Sequence, residues 1–334
     1  MVAGTYDGSL GNNEMDIRQL QNVIAVIEKG SLGRAAAAVN VSQPALTKSI
    51  QRLEERLGVP LFHRDTKGMR PTVYGEALRP HAHGISASIE QALREIEAMR
   101  SGSQGTVKVA AGPLMTSEIL APAIVMLTRE QPFVRVNIHT AIGDHTPGLL
   151  TGKYDFVLTQ LPLGSQQRGV VQRALVNDRI SVIARSDHPL ARRSRVNVRD
   201  LLEFKWVLPE PGHNHRRRFS RVFEAQNLPM PQPDIECSST EFIKSVVMRS
   251  NHLGLIAQMG IKNESRSRMT EISIDSPFMV RPIGIVWRQH QVLSKPCRLL
   301  ISAIEAACED GDPVACSVAR KSQSGQKARA GAKA

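Results

Sequence analysis

Residues 31–57, SLGRAAAAVNVSQPALTKSIQRLEERL, decide how the first part of the chain folds. Ser31 stands where a side-chain oxygen can cap a helix. That helix would carry Arg34 and the run Ala35 to Ala38, small enough for a second helix to approach closely. Val39-Asn40-Val41 interrupts the pattern, and Ser42 predicts a second cap. Pro44 is tolerated in the first turn that follows, because the N–H groups there have no intrahelical partner. Leu46, Ile50, Leu53 and Leu57 recur at helical spacing and form one inward stripe. Gln43, Thr47, Lys48, Gln51 and Arg52 lie off that stripe and offer amides, a hydroxyl and cations. Such groups suit base edges and phosphates in a major groove. A helical hairpin with a polar face also occurs in proteins that never touch nucleic acid, so the flanking sequence has to decide.

Upstream, Asp16 predicts the cap of a bracing helix with Leu20, Val23, Ile24 and Ile27 on one face, ended by Gly30. Downstream, residues 58–72 read as two short extended pieces around a Lys67-Gly68 turn, a hairpin wing that brings Arg64, Lys67 and Arg70 beside the helix for phosphates. The spacings Ser42-Gln43-Pro44-Ala45-Leu46-Thr47, Leu53-Glu54, Leu57-Gly58, Leu61-Phe62 with Arg64, and Thr72 with Gly75 recur together over residues 15–75. This segment resembles the winged helix-turn-helix domain of the LysR-type transcriptional regulators. The expected DNA-contacting residues are Ser31, Arg34, Ser42, Gln43, Pro44, Thr47, Lys48, Gln51, Arg52, Arg64, Lys67 and Arg70.

Beyond the wing, Leu78, Ala82, Ile85, Ile89, Ala92, Ile96 and Met99 alternate spacings of four and three, a heptad seam that predicts a helix pairing with a second chain. Pro80 should kink that helix or confine its regular part to the residues after it. The resemblance implies a dimerising linker helix at this place, and two recognition helices would then read an inverted repeat of double-stranded DNA. Residues 101–105, SGSQG, are a flexible joint.

After the joint the pattern alternates. Strands are expected at 107–111, 134–140 and 154–159, with helices at 116–129 and just before Gly152. A second unit follows, with strands at 180–184, 206–208, 234–237 and 253–257 and helices at 216–225 and 241–250. A strand at 280–288 and a helix at 295–308 close the pattern. Alternation of this kind implies an α/β fold with a parallel sheet covered on both faces. The resemblance implies a two-lobed effector domain like the periplasmic binding proteins, with lobe I at 105–162 and 283–310 and lobe II at 163–282. The linker helix and hinge would span 76–104.

Charge is concentrated at the two ends. The formal net charge is +12, and residues 15–75 hold nine Lys or Arg against five acids, while residues 311–334 hold five against one. The latter segment, rich in Ala, Gly, Ser and Lys, is expected to be a disordered basic tail that adds DNA affinity or merely solubility. Residues 1–14 read either as a flexible extension or as the product of an upstream start. No apolar run reaches the roughly 18–20 residues that span a bilayer, and the cytoplasm is the expected location, with no membrane partner. Cys237, Cys297, Cys308 and Cys316 show neither CxxC pairing nor zinc-ligand spacing, so ordinary thiols and no metal are expected.

Ligands of α/β lobes collect beyond the carboxyl ends of the strands. The first such turn is Gly112-Pro113-Leu114-Met115-Thr116-Ser117, and the N–H groups of the helix after it favour an anion. Leu114 and Met115 are apolar, which leaves the polarity of the ligand open. By resemblance the small-molecule effector is lined by Pro113, Leu114, Met115, Thr116, Ser117, Thr159, Gln160, Pro209 and Ser239. For Thr116 and Ser117 helix capping is the alternative role. His213-Asn214-His215 before Arg216-Arg217-Arg218 reads as an exposed basic helix start. GxSxG, Walker A, HExxH and GxGxxG motifs are all missing, so no enzyme and no cofactor are expected. The other reading is a solute-binding or sugar-phosphate-processing domain joined to a DNA-binding module. The resemblance further implies a homodimer through the linker, assembly into a homotetramer, and control of RNA polymerase.

Overall fold

The computed structural model describes residues 16–65, 68–101, 105–162, 169–193, 195–261 and 268–309. The expected N-terminal extension, basic tail, Cys316 and Lys67 therefore lie outside the described residues. Three helices open the fold: α1 (Ile17–Lys29), α2 (Leu32–Ala38) and α3 (Gln43–Leu57). Asp16 and Gln19 make a reciprocal capping box on α1, and Gly30 ends that helix in the left-handed conformation. Ser42 accepts from Ala45 N at 3.3 Å and caps α3 as expected. Ser31 occupies the cap position of α2, but its hydroxyl makes no capping bond. Leu46, Ile50 and Leu53 are buried with Val23, Val26, Ala35 and Leu61 in one core, and Leu57 packs at its edge. Asn22 Nδ2 donates to Ser49 Oγ at 2.8 Å, tying α1 to α3.

The wing is an antiparallel pair, β1 (Phe62–Asp65) and β2 (Gly68–Pro71). Glu54, one turn from the end of α3, accepts from Leu61 N at 2.7 Å and Phe62 N at 3.1 Å, so α3 itself holds the first wing strand. Met69 N donates to Gly30 O at 2.9 Å, and a Cβ on Gly68 would overlap that carbonyl. This close approach, with φ at +121°, needs glycine. The linker helix α4 runs from Val73 to Ser101 straight through Pro80. Its regular part is not confined to the residues after the proline, because Thr72 Oγ1 already captures Tyr74 N and Gly75 N at 3.2 Å and starts the helix upstream. Leu78 packs on the three-helix core and Ala82 is fully buried. Farther along, Ile85, Leu93, Ile96 and Met99 are 44, 61, 62 and 81% exposed.

The remaining chain builds a nine-stranded sheet in the order β4-β3-β5-β11-β6-β9-β7-β8, with β10 on the flank of β6. The strands are β3 (Thr106–Ala111), β4 (Arg135–Thr140), β5 (Phe156–Gln160), β6 (Val170–Arg185), β7 (Trp206–Leu208), β8 (Ile235–Glu236), β9 (Leu253–Ala257), β10 (Met269–Ile272) and β11 (Val280–Arg288). The helices are α5 (Pro113–Met115), α6 (Ala121–Glu130), α7 (Thr146–Leu150), α8 (Asn214–Glu224), α9 (Thr240–Val247) and α10 (Lys295–Glu309). The expectation of a parallel sheet holds only toward its ends. The β3–β4, β3–β5, β7–β8 and β7–β9 pairs are parallel, whereas β11 runs antiparallel to β5 and β6, and β6 antiparallel to β9 and β10.

The reason lies in β6. Its first half pairs with β11 and its second half with β9 and β10, so one strand passes from one hydrophobic core to the next. One core gathers Phe156, Leu158, Ile283, Ile285 and Leu300, and the other Trp206, Leu208, Phe219, Phe223 and Leu253. The helix expected at 116–129 is also modified. Thr116–Leu120 forms a wide π-turn between α5 and α6. Pro122 falls in the first turn of α6 and has no N–H to donate back into that segment.

Candidate DNA interface and effector cleft

The polar face of α3 is open. Gln43, Pro44, Lys48, Gln51 and Arg52 are exposed and Thr47 half-buried, and a shallow depression runs over Gln43, Pro44, Thr47, Lys48 and Gln51. Thr47 Oγ1 donates to Gln43 O at 2.9 Å, which leaves its oxygen lone pairs toward solvent. Arg34 on α2 and Arg64 on β1 are exposed. Arg70 lies 3.7 Å from Asp65, both well exposed, a pairing that a phosphate can replace at little cost. One helix face thus joins hydrogen-bonding groups to flanking cations, the arrangement needed to enter a groove and hold its phosphates.

In the second half, the expected effector residues separate into groups. Thr116 Oγ1 donates to Gly112 O at 3.0 Å and lies 3.2 Å from Thr140 Oγ1, and Ser117 Oγ donates to Leu114 O at 3.1 Å. Both hydroxyls bond back along their own helical turns. Leu114 lies opposite Gly260 and Thr240, close enough that a Cβ on Gly260 would touch it at 3.5 Å. Ser239 accepts from Phe242 N at 3.4 Å and caps α9. Met115 and Pro209 are buried, Thr159 is half-buried and Pro113 is exposed.

Gln160 leads elsewhere. With its amide oxygen turned inward, it accepts from Arg218 Nε at 2.7 Å and Nη2 at 3.1 Å, linking the end of β5 to α8 across the two cores. The helix start at 213–218 is therefore not the exposed basic segment its composition suggests. Arg218 is buried, and His213, His215 and Arg216 are half-buried. The signal was present in the spacing, since His215, Arg218 and Val222 fall at i, i+3 and i+7, on the side of the helix that carries Phe219 and Phe223. Beside it, Arg281 makes a bidentate pair with Asp178 Oδ2, at 2.8 Å from Nε and 2.5 Å from Nη2, both residues buried. Asp178 Oδ1 accepts from Met259 N at 3.2 Å. Arg281 Nη1 lies 3.0 Å from His215 Nε2, which must accept, so His215 is neutral at that nitrogen.

Loss of hydration, reinforced by Arg281, His213 and Arg218, holds His215 well below the usual histidine range. The sign of the consequence follows. Below about pH 6.5 the unfolded chain takes up a proton that folded His215 refuses, so stability present above that pH is lost as pH falls. The expected loss is up to about 1.4 kcal/mol per pH unit from this group. His215→Gln keeps an acceptor for Arg281 without titrating, and urea unfolding at pH 7.0 and 5.5 should show a shallower pH slope in the variant. Equal slopes would assign the acid sensitivity to other groups.

Among the described residues no cluster of three His, Cys, Asp or Glu could hold a metal ion, and no helix is long and apolar enough to cross a membrane. Burial pushes the Cys297 thiol up to about 12 and the Cys308 thiol to about 11, which keeps both protonated.

Comparisons with known proteins agree with this organisation. Residues 17–76 match the model of the bacterial regulatory helix-turn-helix protein, lysR family, and residues 100–309 that of the LysR substrate binding domain. The chain is 28% identical over 298 residues to the HTH-type transcriptional regulator GbpR of Azospirillum brasilense, covering 88% of this chain and 87% of that protein. It is 31% identical over 265 residues to CbbR of Xanthobacter flavus, covering 77 and 78%. Full-length OxyR from Pseudomonas aeruginosa shares the fold at a TM-score of 0.61 and 23% identity, covering 90% of this chain and 97% of that one. Full-length CbnR, solved with its target DNA, does so at 0.54 and 18%, covering 88 and 100%. With both its halves matched in order, the chain belongs to the LysR family of transcriptional regulators, proteins that bind DNA and a small-molecule effector and are not enzymes.

Proposed function

We propose that the chain reads an inverted-repeat operator as a dimer joined through α4, with two dimers assembling into a tetramer that controls access of RNA polymerase. The observation that carries this reading is the presence of two exposed surfaces on the N-terminal module and the helix that continues from it. The polar face of α3 is free for a groove, and Ile85, Leu93, Ile96 and Met99 leave an apolar stripe on α4 that a second α4 would cover. In this reading residues 15–75 bind DNA, 76–104 link, and 105–310 bind the effector, with lobes at 105–162 plus 283–310 and at 163–282. The long strand β6 pairs with β11 in its first half and with β9 in its second, and in this reading it would supply the hinge between the lobes.

The effector would sit between the lobes, near Leu114, Thr159, Gln160 and Pro209, and shift their relative angle. That motion changes the spacing of the DNA-binding heads, a population shift between two assemblies.

The DNA half of the proposal is tested by two substitutions with different signatures. Gln43→Ala should lose about 1–3 kcal/mol of discrimination at one base pair while holding non-specific affinity. Arg64→Ala should weaken all sequences alike and lower the salt slope by about one. Quantitative binding to single-base operator variants at several salt concentrations separates the two. If both variants weaken every sequence equally, Gln43 does not read a base.

A further inference from the structure

Three arginines are buried among the described residues, and they differ in how their charge is met. Arg281 has the Asp178 carboxylate. Arg288 donates to Leu149 O and Tyr154 O, and Asp155 lies close enough to favour its charged form. Arg218, only 8% exposed, has dipoles alone. Its Nη1 donates to Phe278 O at 3.3 Å and Val280 O at 2.8 Å, and its Nε and Nη2 donate to the Gln160 amide oxygen. No carboxylate among the described residues pairs with it. Its charged neighbours are Arg221 and Arg281, which together with burial push its pKa down. Asp178 is already committed to Arg281, and His215 is neutral where it faces that arginine. Among the described residues, Arg218 and Arg281 at the lobe junction therefore carry one positive charge more than Asp178 neutralises.

A buried guanidinium met only by neutral acceptors is costly, and an oxyanion is a much stronger acceptor than an amide. The acceptor most easily exchanged is Gln160. The carbonyls of Phe278 and Val280 are fixed by the backbone, whereas the Gln160 side chain can rotate away. Gln160 also stands on the other lobe, so whatever replaces it on Arg218 removes or rebuilds a link between lobes.

We propose that Gln160 and Arg218 are the charge-recognising pair of the effector site, and that the effector is a small oxyanion, a carboxylate or a phosphate, whose oxygens take the place of the Gln160 amide oxygen on Arg218. This rests on the reading that the effector binds between the lobes. Gln160 then acts as a stand-in acceptor in the free protein, and release of Gln160 from Arg218 is the local event that lets the lobe angle change.

The test uses the full-length chain at constant ionic strength, with chloride as the balancing anion. Unfolding midpoints are measured for the wild type and Gln160→Glu, alone and titrated with acetate, succinate, inorganic phosphate and, as the uncharged counterpart of acetate, acetamide. Gln160→Glu places a carboxylate on Arg218 permanently. It should raise the midpoint by roughly 3–8 °C without any addition. In the wild type at least one oxyanion should raise the midpoint saturably, with acetate and succinate against phosphate deciding which acid group the site takes. Gln160→Glu should lose that response at least about tenfold in concentration.

The inference is overturned if Gln160→Glu is no more stable than the wild type, if none of the three oxyanions stabilises the wild type, or if both proteins respond alike. If acetamide stabilises both proteins and the oxyanions stabilise neither, the site between the lobes stands and its assignment to an anion falls. Operator binding by the wild type, measured alongside, reports on the regulator reading independently of either outcome.

Discussion

Asp178→Ala is expected to destabilise the effector half by about 3–5 kcal/mol, because it strands a buried arginine rather than merely deleting a bond. Arg281 loses both of its bonds to Asp178 Oδ2 and keeps only His215, while Arg218 nearby is already without an acid partner. Two uncompensated guanidinium charges would then share one half-dry junction. For a unit of this size the loss corresponds to a fall of roughly 6–20 °C in unfolding midpoint, read by calorimetry. The double substitution Asp178→Leu with Arg281→Met removes the orphaned charge and should recover much of it, since the net worth of a buried pair against apolar side chains is small. A double variant as unstable as Asp178→Ala would mean that the packing at this crossing of β6 and β11, and not the charge, is what matters.

Leu46→Ala should cost about 2–5 kcal/mol and abolish operator binding at physiological temperature. Leu46 is fully buried and belongs to the core that α1, α2, α3 and the wing share. A module of some sixty residues has about 3–9 kcal/mol of stability to lose, so most or all of it disappears. The effector half has its own cores and should unfold at an unchanged midpoint. Loss of DNA affinity together with an intact second transition is the expected pair of results, and retained affinity would show that the recognition helix does not depend on this stripe.

The first sixty or so described residues were legible because each signal is local. Caps at Asp16 and Ser42, the terminating Gly30, and the stripe Leu46, Ile50 and Leu53 all act within a few residues, and the structure shows them. Ser31 met its position but not its bond. The first half of β6 was missed because Gln172, Arg173, Asn177 and Arg179 interrupt its apolar residues, and its partner β11 lies about a hundred residues away. No local pattern announces such a pairing, and the antiparallel centre of the sheet went unread with it. Arg218 and His215 were hidden by composition. A run of three arginines reads as solvated, and only the helical phase relative to Phe219 and Phe223 shows that one of them points inward.

The most direct test of sequence-specific regulation is footprinting of fragments that the purified full-length protein selects from its source genome at physiological salt. Salt matters because at low ionic strength any basic protein binds DNA. A small set of protected sites is expected, each with a twofold-related repeat and half-sites about one helical turn or more apart. Uniform, salt-sensitive binding without protected sites would contradict it, reducing α1 to α3 and the wing to a non-specific anchor.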